Sequence, residues 1–172
     1  NTYVIPLRMT DVSEADSILS NKNFVLYAVK YINRWHGNYL RRGKDVITGS
    51  VNRTTHRHAE YVEKDEVVQL PTRSLSDLTF PVVLKDAAGN NINVSLQLKF
   101  EGQEKCVVSS ATTGVTASGS GTFVKKGEKN SWGNTDRDAL YLQYEITLPN
   151  MKVVTTDTLV MRDRGVAMET FT

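Results

Sequence analysis

The sequence predicts an all-β fold, an antiparallel up-and-down β-barrel of about eight or nine strands, on three observations. About twenty valines and nearly as many threonines recur in short runs broken by Gly, Asn, Asp and Ser, the composition of strands and turns. One ten-residue segment, 91–100, alternates apolar and polar residues without an error, and a second, 139–148, repeats the period. Helix signals are nearly absent, the best being a short turn over 11–20, where Ala15, Ile18 and Leu19 share one side behind an Asp or Ser cap.

Taken in order, 3–9 and 24–32 read as two apolar strands. The second is apolar on both faces, which suits a strand enclosed between layers. Strand candidates follow at 38–44, 56–63 and 66–73. The run 80–85 leads through Asp86-Ala-Ala-Gly-Asn90, where Gly89 and Asn90 tolerate positive φ, into the alternating segment 91–100. Ile92, Val94, Leu96, Leu98 and Phe100 then share one face, so these two strands pair antiparallel.

Shorter candidates lie at 105–110 and 121–126, between Gly-rich polar stretches at 111–121 and 127–138 that read as loops. Alternation returns at 139–148, with Leu140, Leu142, Tyr144, Ile146 and Leu148 on one side and Tyr141 on the other. Pro149-Asn150 turns the chain into the Val/Thr run 152–161, completing a second long hairpin. Closing the meander removes the edges that an open sheet of this size would expose. The barrel interior either holds one small ligand, against the inward set Ile92, Leu96, Leu140 and Leu142, or is filled by side chains.

Length and charge bound the function. With 172 residues the chain is long enough for one barrel or sandwich with a good core, or for one such domain plus a fragment of another. The net charge of +2 is dispersed along the chain, which argues against nucleic acid as a partner. The basic run Arg41-Arg42-Gly-Lys44 reads as a solvated strand end. The single Cys106 excludes an internal disulfide and a thiolate zinc site, and its strand context reads as a small buried hydrophobe. There is no transmembrane run in this chain. The start at Asn1 reads as a processed chain or an excised fragment whose upstream part carried the address.

No motif calls for catalysis, a cofactor or a metal. His56 and His58 share a strand face, but the neighbouring Arg53, Arg57 and Lys64 mark that strand as charged and exposed. The acid pairs Asp136 with Asp138 and Asp157 with Asp163 have ordinary readings as turn formers, caps or partners of Arg137, Arg162 and Arg164. Phosphate-cradling, dinucleotide and nucleophile-elbow patterns are missing. The aromatics say more, because sugar rings stack on Trp or Tyr while Asn and Asp take hydroxyls. Trp132, flanked by Asn130, Asn134 and Asp136, has that composition, with outward-facing Tyr141 beside it. The alternative is a Trp132 that packs the barrel mouth. Trp35 and Tyr39 read as core.

Three stretches carry a resemblance: Tyr3-Val-Ile-Pro-Leu-Arg-Met-Thr10, Trp35-His-Gly-Asn-Tyr-Leu-Arg-Arg-Gly43, and Ser131-Trp-Gly-Asn134 through Leu140-Tyr-Leu-Gln-Tyr144 to Asp157-Thr-Leu-Val-Met-Arg-Asp-Arg-Gly165. The chain resembles surface or periplasmic proteins of glycan-degrading gut bacteria that join an Ig-like domain to a C-terminal calycin-like (lipocalin-like) barrel of unknown function. The resemblance implies that residues 1–33 are the last strands of the Ig-like module and 34–172 the barrel. It implies that Trp35 or Tyr39 meets Arg162 or Arg164 to close one end, by a cation–π contact of about 0.5–2 kcal/mol. The lipocalin Gly-x-Trp pattern is replaced here by Trp-His-Gly-Asn-Tyr, which leaves the lipocalin carrier role unsupported.

The resemblance further implies an exported protein, periplasmic or at the outer-membrane surface, as a lipoprotein in its full-length form. It would be a non-enzymatic module for glycan binding or polysaccharide capture. The competing expectations are a structural or assembly module with a filled barrel, docking other envelope proteins, and a carrier of a small apolar ligand.

Overall fold

The computed structural model describes residues 2–14 and 16–166. It divides the chain into two compact units at Ile32/Asn33.

The first unit is one antiparallel hairpin, β1 (Thr2–Arg8) against β2 (Phe24–Lys30), in register from Thr2 opposite Lys30 to Arg8 opposite Phe24. Every residue of β2 is exposed, its large apolar side chains ranging from Phe24 at 62% to Val25 at 49%, so the strand's apolar faces are both open within this unit. Two strands bury too little to be stable on their own. No helix forms among the described residues of 11–20, and Ala15 lies outside them.

The second unit is all β. Its strands are β3 (Gly37–Gly49), β4 (Arg53–Arg57), β5 (Glu66–Leu70), β6 (Asp77–Lys85), β7 (Asn91–Glu101), β8 (Lys105–Ser110), β9 (Thr116–Ser131), β10 (Thr135–Leu148) and β11 (Met151–Asp163). They form one antiparallel sheet in the order β4-β3-β11-β10-β9-β8-β7-β6, curled into a half-barrel, with β5 paired to the first half of β3. From β5 the chain crosses to β6 by a single bridge, Thr72 to Leu78, and by the Arg73 and Ser74 N–H groups bonding to the Asp77 carbonyl. The alternating segments pair as their pattern requires: Phe80 faces Leu96 across β6–β7, and Leu140 faces Leu159 across β10–β11.

The inward set Leu96, Leu140 and Leu142 packs with Phe80, Leu78, Leu98 and Tyr144 in one continuous core, and Ile92 lies at its margin. Side chains therefore fill the interior around these positions. No helix among the described residues is long and apolar enough to cross a membrane.

Three expectations need correction. The strand expected at 56–63 lies at Arg53–Arg57, where it pairs with β3, and Val62–Lys64 is a 3₁₀ turn. The stretches read as loops at 111–121 and 127–138 are largely strand, since β9 runs for 16 residues and meets β10 through a three-residue turn, Trp132–Asn134. Local propensity misled because Gly119 and Gly121 face inward beneath Tyr144 and Leu142. A Cβ at either position would collide with those residues, so the glycines serve packing rather than flexibility. The third concerns Arg41, which is buried inside the sheet.

Candidate functional site

Alternation along β3 turns Tyr39, Arg41, Gly43, Asp45 and Ile47 to the inside, so the basic run is split between two faces. Arg41 is 4% exposed and Asp157 1%. Arg41 Nε and Nη2 both reach Asp157 Oδ2 at 3.0 Å. The Tyr144 hydroxyl accepts from Arg41 at 3.1 Å and donates to Asp157 at 2.8 Å. Arg57 pairs with both Asp157 and Asp45, and the Thr155 hydroxyl donates to Asp45 at 2.7 Å.

Gly43 makes this possible, because a Cβ there would strike the Asp157 carboxylate and the Thr156 carbonyl. Two guanidiniums thus oppose two carboxylates, with half-exposed Glu66 at 3.8 Å from Arg41. Burial pushes the Tyr144 phenol far above its usual range, and the Asp157 charge adds to this. Burial works against the charge on Arg41, yet Tyr144 and Asp157 together hold it above its ordinary value. A cluster paired in this way is a buried polar core.

Cys106 also lies inside, its thiol pushed up to about 12 by burial. The native chain keeps this proton while the unfolded chain loses it from pH 9.0 upward. Stability present below pH 9.0 is therefore lost as pH rises toward about 12. Tyr39 and Tyr144, raised by burial from 10.0, act in the same direction. Urea midpoints measured across that window are expected to fall with pH, and to fall less steeply in Cys106→Ala. A midpoint that does not move would refute this.

The outer face of the same strands is different in character. Register places Thr122, Tyr141, Thr158 and Arg42 in one row across β9, β10, β11 and β3. The next row is Ser120, Gln143, Thr156 and Lys44, continued by His56 on β4. Short hydroxyl side chains between longer ones leave a trough. One stretch of about 380 Å³ lies between Tyr141, Ser120, Thr122 and Gln143, and another of about 440 Å³ lies between Lys44, His56 and His58. They adjoin, sharing Thr156 and Thr158.

Of the residues singled out in the sequence, Trp132, Asn130, Asn134 and Asp136 come together at the β9–β10 turn. Asn130 (φ 44°) and Asn134 (φ 53°) take the left-handed conformation that Asn tolerates better than most residues. Asp136 accepts from the Asn130 N–H and the Lys129 ammonium, and these contacts hold its carboxyl below the usual range. Trp132 is half-buried, its indole N–H donating to the Met161 carbonyl and the Arg137 guanidinium 3.9 Å from its ring centre. Tyr141 stands apart in the trough, its hydroxyl donating to Glu128 at 2.7 Å.

Closure also differs from expectation. Arg164 bonds the Asn33 and Arg34 carbonyls and its charge reaches the Tyr39 hydroxyl, but it does not lie over a ring, and Arg162 pairs with Asp163. Trp35 stacks instead on Phe100 at 3.8 Å, and its carbonyl accepts the Tyr39 hydroxyl at 2.6 Å. The Asn33 and Arg34 carbonyls, in the turn before β3, are stronger acceptors for a guanidinium than a ring already covered by Phe100.

A further recess of about 370 Å³ lies at the turns Asp86–Ala88 and Leu148–Met151. Asp86 is engaged by its own turn, accepting the Ala88 and Asn90 N–H groups, and offers little to a ligand. Among the described residues no three His, Cys, Asp or Glu side chains converge to hold a metal. The buried ion cluster escaped sequence reasoning, although one signal was present: Arg41, Gly43 and Asp45 fall on the same alternation as Tyr39 and Ile47.

A family model described as "Domain of unknown function (DUF5627)" matches residues 34–165. A crystal structure of a protein of unknown function from Bacteroides ovatus is similar, with 44% identity and a TM-score of 0.88. The match covers 96% of this chain and 59% of that one, so the chain spans under two thirds of its relative's length. No curated protein matches.

Proposed function

Because the chain belongs to this family of domains of unknown function, matched over 34–165, we propose from its geometry that it is a non-enzymatic module that holds glycan on the outer face of its sheet. The observation that carries the reading is the trough beside Tyr141, lined by Ser120, Thr122, Gln143, Thr156 and Thr158. Hydroxyls and an amide around one aromatic edge suit a polyhydroxylated chain, whose hydroxyls they bond and whose apolar ring face the tyrosine covers. The interior offers a ligand no comparable surface, being filled by core side chains and the balanced ion cluster. The place in the bacterial cell envelope, exported and lipid-anchored in the full-length form, is part of this proposal and rests on the resemblance stated above.

Native affinity electrophoresis through gels cast with a panel of plant and host polysaccharides tests the reading. At least one polysaccharide is expected to retard the chain. Tyr141→Ala should weaken that retention by about fivefold, the value of one aromatic contact near 1 kcal/mol. Equal retention of a folded Tyr141→Ala protein would remove the site, and retention by no polysaccharide would remove the function.

A second reading, a structural or assembly module docking other envelope proteins, is favoured by the fixed state of Trp132 between Arg137 and the Met161 carbonyl. A Trp held in this way offers less of its ring for stacking. A chain that no polysaccharide retains would leave this reading standing.

A further inference from the structure

The two stretches of the trough differ in charge, and that difference specifies the ligand further. The β9–β10 stretch exposes only uncharged side chains: Ser120, Thr122 and Gln143 make no side-chain hydrogen bond to another described residue, and Asp157 beneath them is buried and paired with Arg41 and Arg57. The β3–β4 stretch is basic. Lys44 is exposed and lies directly opposite His56 in the ladder, and neither makes an ion pair with a described residue. His58 and Arg42 complete this end. Arg42 is already paired through Nε with Asp65 at 2.6 Å, and its Nη2 has no acceptor among the described residues. The carboxylates beside the trough are already engaged: Asp65 by Arg42, Glu128 by the Tyr141 hydroxyl at 2.7 Å, and Glu145 by Lys152 at 2.8 Å.

From β9 to β4 the trough crosses five strands, about 19 Å at the usual strand spacing of about 4.8 Å. That length accommodates a short oligosaccharide laid across the strands rather than a single sugar.

We propose that the trough binds an acidic oligosaccharide, with neutral hydroxyls over Ser120, Thr122 and Gln143 and a carboxylate or sulfate at Lys44 and His56. The proposal rests on the glycan reading above and adds the charge and orientation of the ligand. A nucleic acid is disfavoured, because the basic end is too small to follow a phosphate backbone and only one aromatic lines the trough.

Isothermal titration of the full chain with three probes tests it: an oligogalacturonate, a sulfated galactan oligosaccharide and a neutral xylan oligosaccharide, with a single-stranded oligonucleotide as control. One acidic probe is expected to bind more tightly than the neutral one, and which of the two does so distinguishes carboxylate from sulfate. Lys44→Glu turns an attraction into a repulsion and should weaken that probe by about tenfold, with an unchanged melting temperature because Lys44 is exposed. Lys44→Gln should fall between.

If the neutral probe binds as tightly and Lys44→Glu changes nothing, the acidic ligand is wrong while the glycan reading survives. If no glycan probe binds, both fail. An oligonucleotide that binds as well as the acidic probes would overturn the proposal in favour of general polyanion attraction.

Discussion

Asp157→Ala is expected to lower the unfolding free energy by about 3–5 kcal/mol, the cost of leaving a buried charge without its partner. Asp157 is 1% exposed and takes Arg41 on one carboxylate oxygen and Arg57 on the other. Without it, Arg41 keeps Glu66 at 3.8 Å, the Tyr144 hydroxyl and the Phe80 ring at 5.1 Å, none of them a close carboxylate, and Arg57 keeps Asp45. Urea denaturation should show a large drop in midpoint with an unchanged slope, because the folded and unfolded surfaces stay the same. A loss below about 1 kcal/mol would mean that water relieves the two arginines, and the cluster would not be a closed unit.

The same cluster contributes little net stability, because removing four charges from water offsets most of what their pairing returns. Its better-attested use is registry. Arg57 can reach Asp157 only where Gly43 stands between them, which pins β4 to β3 and β11 at one offset.

Trp35→Ala is expected to cost about 3–5 kcal/mol, the usual loss for removing a buried aromatic. Trp35 lies flat on Phe100 with an interplanar angle of 8°, and its indole N–H donates to the Gln103 carbonyl at 3.3 Å. The substitution leaves a cavity against Phe100 and frees the turn after β7. It also loosens a segment that ties several parts of the sheet. Asn33 bonds the Ser74 and Asp77 carbonyls, and the Thr72 N–H bonds His36 Nδ1. For a chain of this size the melting temperature should drop by roughly 10 °C, read by circular dichroism. A fall of only a degree or two would show that the end of the half-barrel is held by Arg164 and the backbone, with Trp35 incidental.

The hairpins were legible because their signal is local. In β7 and β10 each side chain's fate depends on its own parity, and ten residues of sustained alternation leave one solution for the buried face. Cys106, in its strand-like run, and Trp35, where the barrel begins, also lie in the core as expected. The local signal failed for β9, whose run of Gly and Ser has low strand propensity and is extended only because its glycines lie under Tyr144 and Leu142. The site is not a matter of parity. Trp132 with its Asn neighbours has the composition of a sugar-binding loop, yet the two Asn residues make a tight turn and the Trp is covered by Arg137. The outer trough had no sequence signature, since Ser120, Gln143, Thr156 and Lys44 come from four strands and become neighbours only through register.

By itself, then, the sequence determined an all-β chain, its long hairpins and most of its inward-facing apolar set, because parity along a strand is written in consecutive residues. The curl of the sheet decided the rest. It brought Arg41 to Asp157 across 116 residues, closed one end with backbone carbonyls and a Trp–Phe stack, and laid a neutral row of hydroxyls beside Lys44 and His56. Charges and hydroxyls carry no period of their own. Whether Arg41 is a solvated end or a buried ion depends on which strands fold over it, and that is settled only when the sheet has curled.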